Sequence, residues 1–289
     1  EIKKSVKIPV IAVGRISDPL MAEDALLRGK ADMIAMGRQA LADPEYPNKV
    51  FARKEREIAP CIGCLQGCVG YVLDPVKLKV SCMVNPFCGK ESEMKITPAD
   101  TQKKVIIVGG GPAGLEAAWV AAKRGHDVTL YEKSGKLGGN FRIAAIPPAK
   151  QEILNAIEYY KVMGDKYGVD YQLNVDVTEE MILEKNPDVV ILATGGAEII
   201  PNIPGLDQEN VFTASQVLTG EKDPVGKVLV IGGGMVGCET ADFLGEYGCD
   251  TTIVEMLDDV ALDVQAAVRY YLMERLERYK VAIETKTKV

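Results

Sequence analysis

Four cysteines carry the most specific chemistry in this sequence: Cys61, Cys64, Cys68 and Cys82, spaced C-x2-C-x3-C-x13-C. Thiolates wrap a small inorganic cluster when the backbone turns tightly between them, and the interposed Gly63 and Gly67 permit such turns. The spacing reads as a [4Fe–4S] site. Two other readings stay open. A zinc knuckle also begins C-x2-C, but it closes with a second C-x2-C or an H-x3-H. Here Cys88 follows Cys82 across five residues, and the single histidine, His126, lies far away. A structural disulfide is disfavoured because the chain shows no secretory signal pattern.

A second kind of chemistry follows the cysteines. Gly109-Gly-Gly111-Pro-Ala113-Gly114 is G-x-G-x-x-G between an apolar run, 103–108, and a helical pattern, 115–123. Gly109 makes the turn, Gly111 lets backbone approach a pyrophosphate, and Gly114 lets helix and strand pack closely. Glu132, at the end of the next strand (128–132), stands 18 residues after Gly114, where an acid takes ribose hydroxyls. Lys136-Leu-Gly138-Gly139-Asn140 adds a turn suited to a second phosphate or a flavin ring. The unit then recurs. Gly232-Gly-Gly234-Met-Val-Gly237 follows the strand 227–231, and Glu255 again stands 18 residues after the third glycine. The two signatures lie 123 residues apart, which reads as one nucleotide fold with a second inserted in it.

The elements upstream must also position a ligand. The apolar runs 8–13 and 31–36 suit buried parallel strands and each ends in Gly-Arg: Gly14-Arg15 and Gly37-Arg38. A helix with Pro19 in its first turn separates them. Two such βα units belong to a parallel α/β fold, whose strand C-termini carry the ligand. Arg15 and Arg38 would then flank one phosphate. Residues 45–58 read as a charged helix, 83–102 as a linker and 152–167 as a helix whose apolar stripe is core. His126 falls in a helix-to-strand turn, and Cys238 and Cys249 read as buried fillers.

Composition bounds the rest. The 289 residues allow more than one domain, and 47% hydrophobic with 26% charged content is ordinary for a globular protein. A net charge of −7 with no basic stripe disfavours a nucleic-acid partner. No apolar run reaches the ~18 residues of a membrane span, so no membrane partner and a cytoplasmic location are expected. The chain begins at Glu1 and stops at Val289 in a strand-like run, which suggests a fragment of a longer polypeptide.

The order of these motifs resembles the C-terminal part of the 2,4-dienoyl-CoA reductase, 2-enoate reductase and trimethylamine dehydrogenase family. The phrases Pro60-Cys-Ile-Gly-Cys64, Ser81-Cys-Met-Val-Asn-Pro86 and Arg124-Gly-His-Asp-Val-Thr-Leu130 sit close to its pattern, and the resemblance covers essentially the whole chain. It implies an α/β architecture in four parts. Residues 1–58 would be the last two strand–helix units of an FMN-binding (β/α)8 TIM barrel, and 59–102 a [4Fe–4S] segment and linker. Residues 103–222 would be an FAD-binding Rossmann-like domain, and 223–289 an inserted, incomplete NAD(H)-binding one.

By the same resemblance, Gly14, Arg15, Gly37 and Arg38 would hold the FMN phosphate. Cys61, Cys64, Cys68 and Cys82 would ligate the cluster, with Cys88 left out. Gly109, Gly111, Ala113, Gly114, Glu132, Gly139, Asn140, Lys150 and Val177 would line FAD, although the family often has Gln where Asn140 stands. Gly232, Gly234, Gly237 and Glu255 would bind the nicotinamide dinucleotide. Glu255, with Asp258 and Asp259 nearby, should favour NADH over NADPH. The activity implied is electron transfer from NADH through FAD and the cluster to FMN, which reduces an activated C=C bond of an enoate or enoyl-CoA. The strands bearing the reductases' catalytic tyrosine and histidine are absent, so no catalytic residue is assigned, and the missing barrel segment of the same polypeptide is an expected partner. Three rivals are kept: an amine dehydrogenase-type relative with reversed flow, a pyridine nucleotide-disulfide oxidoreductase using Cys61 and Cys64, and a non-catalytic ADP- or FAD-binding module.

Overall fold

A computed structural model describes residues 2–73, 76 and 79–289. After a short N-terminal turn of helix, α1 (Ile2–Ser5), the strand β1 (Ile11–Val13) pairs in parallel with β2 (Met33–Ala35), joined by α2 (Pro19–Leu27). Pro19 occupies the first turn of α2, and Asp18 caps it by accepting from the Leu20 N–H at 2.8 Å. The register sets Val13 against Ala35, so Gly14 and Gly37 leave adjacent strand ends together. Then come α3 (Arg38–Ala42) and α4 (Tyr46–Phe51). The charged helix expected over 45–58 is broken. It stops at Phe51, Arg53 turns left-handed at φ 53°, and a single 3-10 turn follows at Glu55–Glu57.

The largest sheet has the order β5-β4-β3-β6, all parallel: β3 (Lys104–Val108), β4 (Asp127–Glu132), β5 (Asp170–Leu173) and β6 (Val189–Leu192). That order is half of a doubly wound nucleotide fold. Between β3 and β4 runs α5 (Pro112–Lys123), with proline at its first position. Beyond β4 lie α6 (Asn140–Ala144) and α7 (Ile153–Tyr167), and α8 (Glu179–Lys185) precedes β6. The core forms where strand and helix faces meet: Val105, Ile107, Leu115, Leu130, Ile157 and Tyr160 are among its buried members. Val84, 2% exposed, joins it, so the stretch expected as a linker is anchored in the core at its start.

After α9 (Ala214–Leu218) a second parallel sheet follows, β7-β8-β9: β7 (Lys227–Ile231), β8 (Asp250–Val254) and β9 (Ala282–Glu284). Its helices are α10 (Met235–Glu246) and α11 (Ala266–Arg278). The strand-like run at the C-terminus narrows to β9. Cys238, Ala241, Ile253, Leu272 and Leu276 form a separate buried core here. Among the described residues no helix is long and apolar enough to cross a membrane.

Both sheets depend on the same close contact. A Cβ at Gly114 would overlap the Gly109 carbonyl oxygen, and one at Gly237 would overlap that of Gly232. Only a missing side chain lets each helix start that near its strand. Gly114→Ala must therefore push α5 from β3, and we expect it to lower stability by at least about 1–3 kcal/mol, read as a fall in the thermal unfolding midpoint. An unchanged midpoint would show that the helix start has room to move.

Candidate functional site

The cysteine loop is built by unusual backbone. Gly63 takes φ 67°, and Leu65, a non-glycine, takes φ 58° before a π-helical turn over Gln66–Gly70 that carries Cys68. Gly67 serves by size rather than by φ. A Cβ there would lie 2.8 Å from the Ser81 carbonyl oxygen, and the Ser81 N–H donates to the Gly67 carbonyl at 2.8 Å. That approach brings Cys82 beside Cys68. Cys61, Cys64, Cys68 and Cys82 line one cavity, with apolar walls from Leu41, Ile62 and Met83 and the side of Arg38. Cys88 is buried elsewhere, at 2% exposure. All seven cysteines are free.

Three of the four sulfurs share a donor pattern. Burial pushes the Cys61 and Cys64 thiols up, while the backbone N–H groups of Gly63 and Gln66 favour their thiolates; the positive charge of Arg38 acts the same way on Cys61. The Val84 N–H points at the Cys82 sulfur, 3.5 Å away. In each case the donor lies two residues after its cysteine. Such donors would stabilise a metal-bound thiolate. Among the described residues no three His, Cys, Asp or Glu side chains converge to hold one metal ion. A four-iron cluster makes a different demand, because each thiolate binds its own iron at a separate corner.

The segment entering this loop is clamped by side chains that spacing alone did not single out. Gln39 donates to the Ala59 carbonyl at 2.8 Å and accepts from the Cys61 N–H at 2.9 Å. Asp43 accepts from the Ala59 N–H at 2.8 Å and pairs with Lys49 at 2.6 Å.

At the strand ends, Gly14 (φ 133°) and Gly37 leave open space where a Cβ would stand. Arg15 pairs with Glu152 at the start of α7 and lies over Gly63, and Arg38 faces the cysteines.

The first nucleotide loop fits a pyrophosphate. Gly111 precedes α5 with no side-chain cap and with nothing within 4 Å of a Cβ built on it, so the helix N-terminus, including Ala113, faces free space. Glu132, 8% exposed, accepts from the Gly110 N–H at 2.7 Å and from the Ser134 N–H at 2.8 Å. Burial alone would raise its pKa, but these donors outweigh burial and hold the carboxyl below its ordinary range. Its remaining lone pairs suit ribose hydroxyls. Gly139 (φ 48°) packs on Gly111 and starts α6 at the exposed Asn140. Val177, half-buried, lies two residues past Val175, whose N–H donates to the Glu132 carbonyl at 3.1 Å. The Lys150 ammonium sits 2.6 Å from both carboxylate oxygens of Glu239 on α10.

The second loop repeats the first. Glu255 accepts from the Gly233 N–H at 2.7 Å and the Leu257 N–H at 2.8 Å, which hold its carboxyl low. One difference stands at the helix start, where the Met235 N–H donates to Asp263 at 2.9 Å, beside Gly234. Asp259 pairs with Arg269 at 2.6 Å, while Asp258 is exposed. Cys238 and Cys249 donate to the carbonyls of Gly233 and Pro224; Cys238 is the buried filler expected, whereas Cys249 is only half-buried, at the turn before β8. His126 accepts from the Lys103 N–H at 3.2 Å, a turn contact.

Comparison with known proteins agrees with this layout. Residues 103–289 match the family described as pyridine nucleotide-disulphide oxidoreductase, and residues 1–57 match the NADH:flavin oxidoreductase / NADH oxidase family. The chain is 44% identical over 289 residues to a bilirubin reductase of Mediterraneibacter gnavus, covering 100% of this chain and 45% of that protein. It is 46% identical over 259 residues to a cinnamate reductase of Clostridium sporogenes, covering 90% and 38%. The solved structure of a 2-naphthoyl-CoA reductase bound to 2-naphthoyl-CoA superposes with a TM-score of 0.94 at 34% identity, covering 100% of this chain and 44% of that one. The chain thus spans less than half the length of the relatives it matches.

One titratable group beside the first loop was not legible from spacing. Glu116 on α5 accepts from the Trp119 indole N–H at 2.8 Å, and its other oxygen is buried without a partner. Burial raises its pKa from 4.5 to about 7. The folded state therefore holds a proton that the unfolded state releases between those values, so stability falls as pH rises from about 4.5 to 7, by about 3 kcal/mol. Denaturant titration across that window should show the fall, and Glu116→Gln should abolish it. A parallel pH profile for both proteins would place the carboxylate in water.

Proposed function

The chain belongs to the 2,4-dienoyl-CoA reductase, 2-enoate reductase and trimethylamine dehydrogenase family of flavin oxidoreductases, and on that footing we propose that it carries electrons from NADH through FAD and a [4Fe–4S] cluster toward FMN, for reduction of an activated C=C bond. The observation that carries the reading is the set of Cys61, Cys64, Cys68 and Cys82 around one cavity; in sequence it lies between the open glycines Gly14 and Gly37 and the loop at Gly109–Gly114. The flavins supply hydride and single-electron chemistry when bound, and a cluster supplies one-electron relay. The chain's own residues bind and orient. The N–H groups of Gly63 and Gln66 favour thiolates at Cys61 and Cys64, the Val84 N–H points at the Cys82 sulfur, and Leu41, Ile62 and Met83 wall the cavity. Gly111 and the bare start of α5 receive an FAD pyrophosphate, and Glu132 its ribose.

The relatives named for cinnamate and 2-naphthoyl-CoA reduction support an enoate or aryl-CoA substrate class. The disulfide-reductase reading is less well supported. The C-x2-C precedes the matched residues 103–289, and the cysteines within that range, Cys238 and Cys249, are not paired with each other.

Two measurements test the reading. Anaerobically purified protein should contain about four iron and four acid-labile sulfide per chain; zinc, or no metal, would remove the cluster from the scheme. For the second loop, Glu255 should accept a ribose 2′-hydroxyl and, with the exposed Asp258, repel a 2′-phosphate. NADH should bind more tightly than NADPH by calorimetry, and Glu255→Gln should narrow the gap. Tighter NADPH binding by the unaltered protein would end the preference.

A further inference from the structure

Gln39 is 3% exposed and follows Arg38 directly, yet neither the glycine loops nor the cysteine motif accounts for it. Its amide uses both ends. The N–H donates to the Ala59 carbonyl at 2.8 Å, and the oxygen accepts from the Cys61 N–H at 2.9 Å. Between those two groups stands Pro60, which has no N–H to give. One side chain therefore spans the peptide units on both sides of the proline that delivers the first cysteine. Asp43, four residues on, already secures the Ala59 N–H, and Ile58 and Ala59 are buried. The segment is thus anchored without Gln39. What Gln39 adds is the orientation of the step from Ala59 into Cys61.

That step lies next to a charge. Arg38 lines the same cavity as Cys61, and it belongs to the short helix that carries Gln39. We propose that Gln39 is the positioning residue for the Cys61 corner of the cluster, fixing that sulfur against the Arg38 guanidinium and the Gly37 strand end. The proposal rests on the cluster reading above. Partners beyond the ligands orient them and tune the metal, so freeing this step changes how the cluster is held and how its charge is stabilised. Loss of the clamp weakens the cation's hold on the reduced, more negative cluster and lowers its midpoint potential.

The test compares the wild-type chain with Gln39→Leu and Gln39→Glu, all purified anaerobically. Gln39→Leu removes both bonds. Gln39→Glu keeps the acceptor for the Cys61 N–H and loses the donor to Ala59. We expect Gln39→Leu to retain wild-type iron and sulfide, to show a shifted EPR spectrum and a lower cluster potential, and to lose iron to a chelator about 5- to 30-fold faster. Gln39→Glu should lose iron at a rate between the two, while its added negative charge lowers the cluster potential at least as far as Gln39→Leu does. A Gln39→Leu protein with a lower unfolding midpoint but wild-type spectrum, potential and iron-loss rate would overturn the proposal and leave the cluster reading intact. A wild-type chain without iron and sulfide would overturn both.

Discussion

A buried carboxylate governs the junction on which the site depends. Asp43 lies at the end of α3, with its side chain 4% exposed, and a charge in that position must be paired and hydrogen-bonded. Lys49 reaches it at 2.6 Å, and the N–H groups of Glu45 and Ala59 donate to it at 3.0 and 2.8 Å. The same Lys49 ammonium also donates to the Glu57 carbonyl at 2.8 Å. Residues 58–61 form no regular element, so their backbone groups must find side chains instead. Asp43 and Gln39 are those side chains for Ala59 and Cys61, and Lys49 serves the Glu57 carbonyl just before them. Removing Asp43 would leave Lys49 and two backbone donors unmatched at once, which is why so small a segment can hold the cysteine loop against both the two-stranded unit and the core behind Val84.

The two glycine loops show how one backbone solution is used under two electrostatic conditions. Gly110 and Gly233 each donate to the acid at the next strand's end at 2.7 Å, and in each unit the chain beyond that acid returns to donate to the same glycine's carbonyl: Gly138 at 2.7 Å, Ala261 at 2.6 Å. The offset of 123 residues that separates the glycines also relates the strand partners and these returning residues, so the two units share their geometry from strand to return loop. It also relates Asn140 to Asp263. At the first helix the N-terminal N–H groups face open space, while at the second the Asp263 carboxylate already accepts from Met235. An anion arriving at the first loop meets an uncapped dipole; at the second it competes with a carboxylate in place.

Most of the scaffold was legible because period and punctuation agreed. The apolar runs at 104–108 and 227–231, each followed by glycines and an acid at a fixed distance, leave little choice of structure. Less regular pieces escaped. The strand Asp170–Leu173 is short and carries Asp170 and Gln172, so it lacks the apolar run that marked its neighbours. The helix Ala266–Arg278 buries only Leu272 and Leu276 and otherwise reads as charged. The charged run near residue 50 broke at Arg53 because left-handed backbone ends a helix. The segment after Cys82 looked like a linker because its turn residues dominate, although Val84 packs in the core and Asn85 donates to the Leu41 carbonyl at 2.9 Å. Of the site, ligand spacing and glycine geometry could be read. Gln39, Asp43 and Glu116 could not, since their roles come from partners that spacing does not name.

Lys150 marks the same limit and adds a constraint of its own. The family resemblance implies a flavin contact for it, and in the structure its side chain pairs with Glu239, 89 residues away and two residues past Gly237. Both groups are largely buried, at 25% and 12% side-chain exposure, so either one alone would be a poorly solvated charge. Such a pair adds little net stability over an apolar contact, but it penalises arrangements that separate the partners. It therefore acts on specificity: it ties the turn before α7 in the first nucleotide unit to the opening turns of α10 in the second. Two independent hydrophobic cores, one behind β3 and one behind β8, would by themselves leave the units free to settle in several relative positions. A short, bidentate ion pair beside the second glycine loop narrows that choice at the junction of the two units.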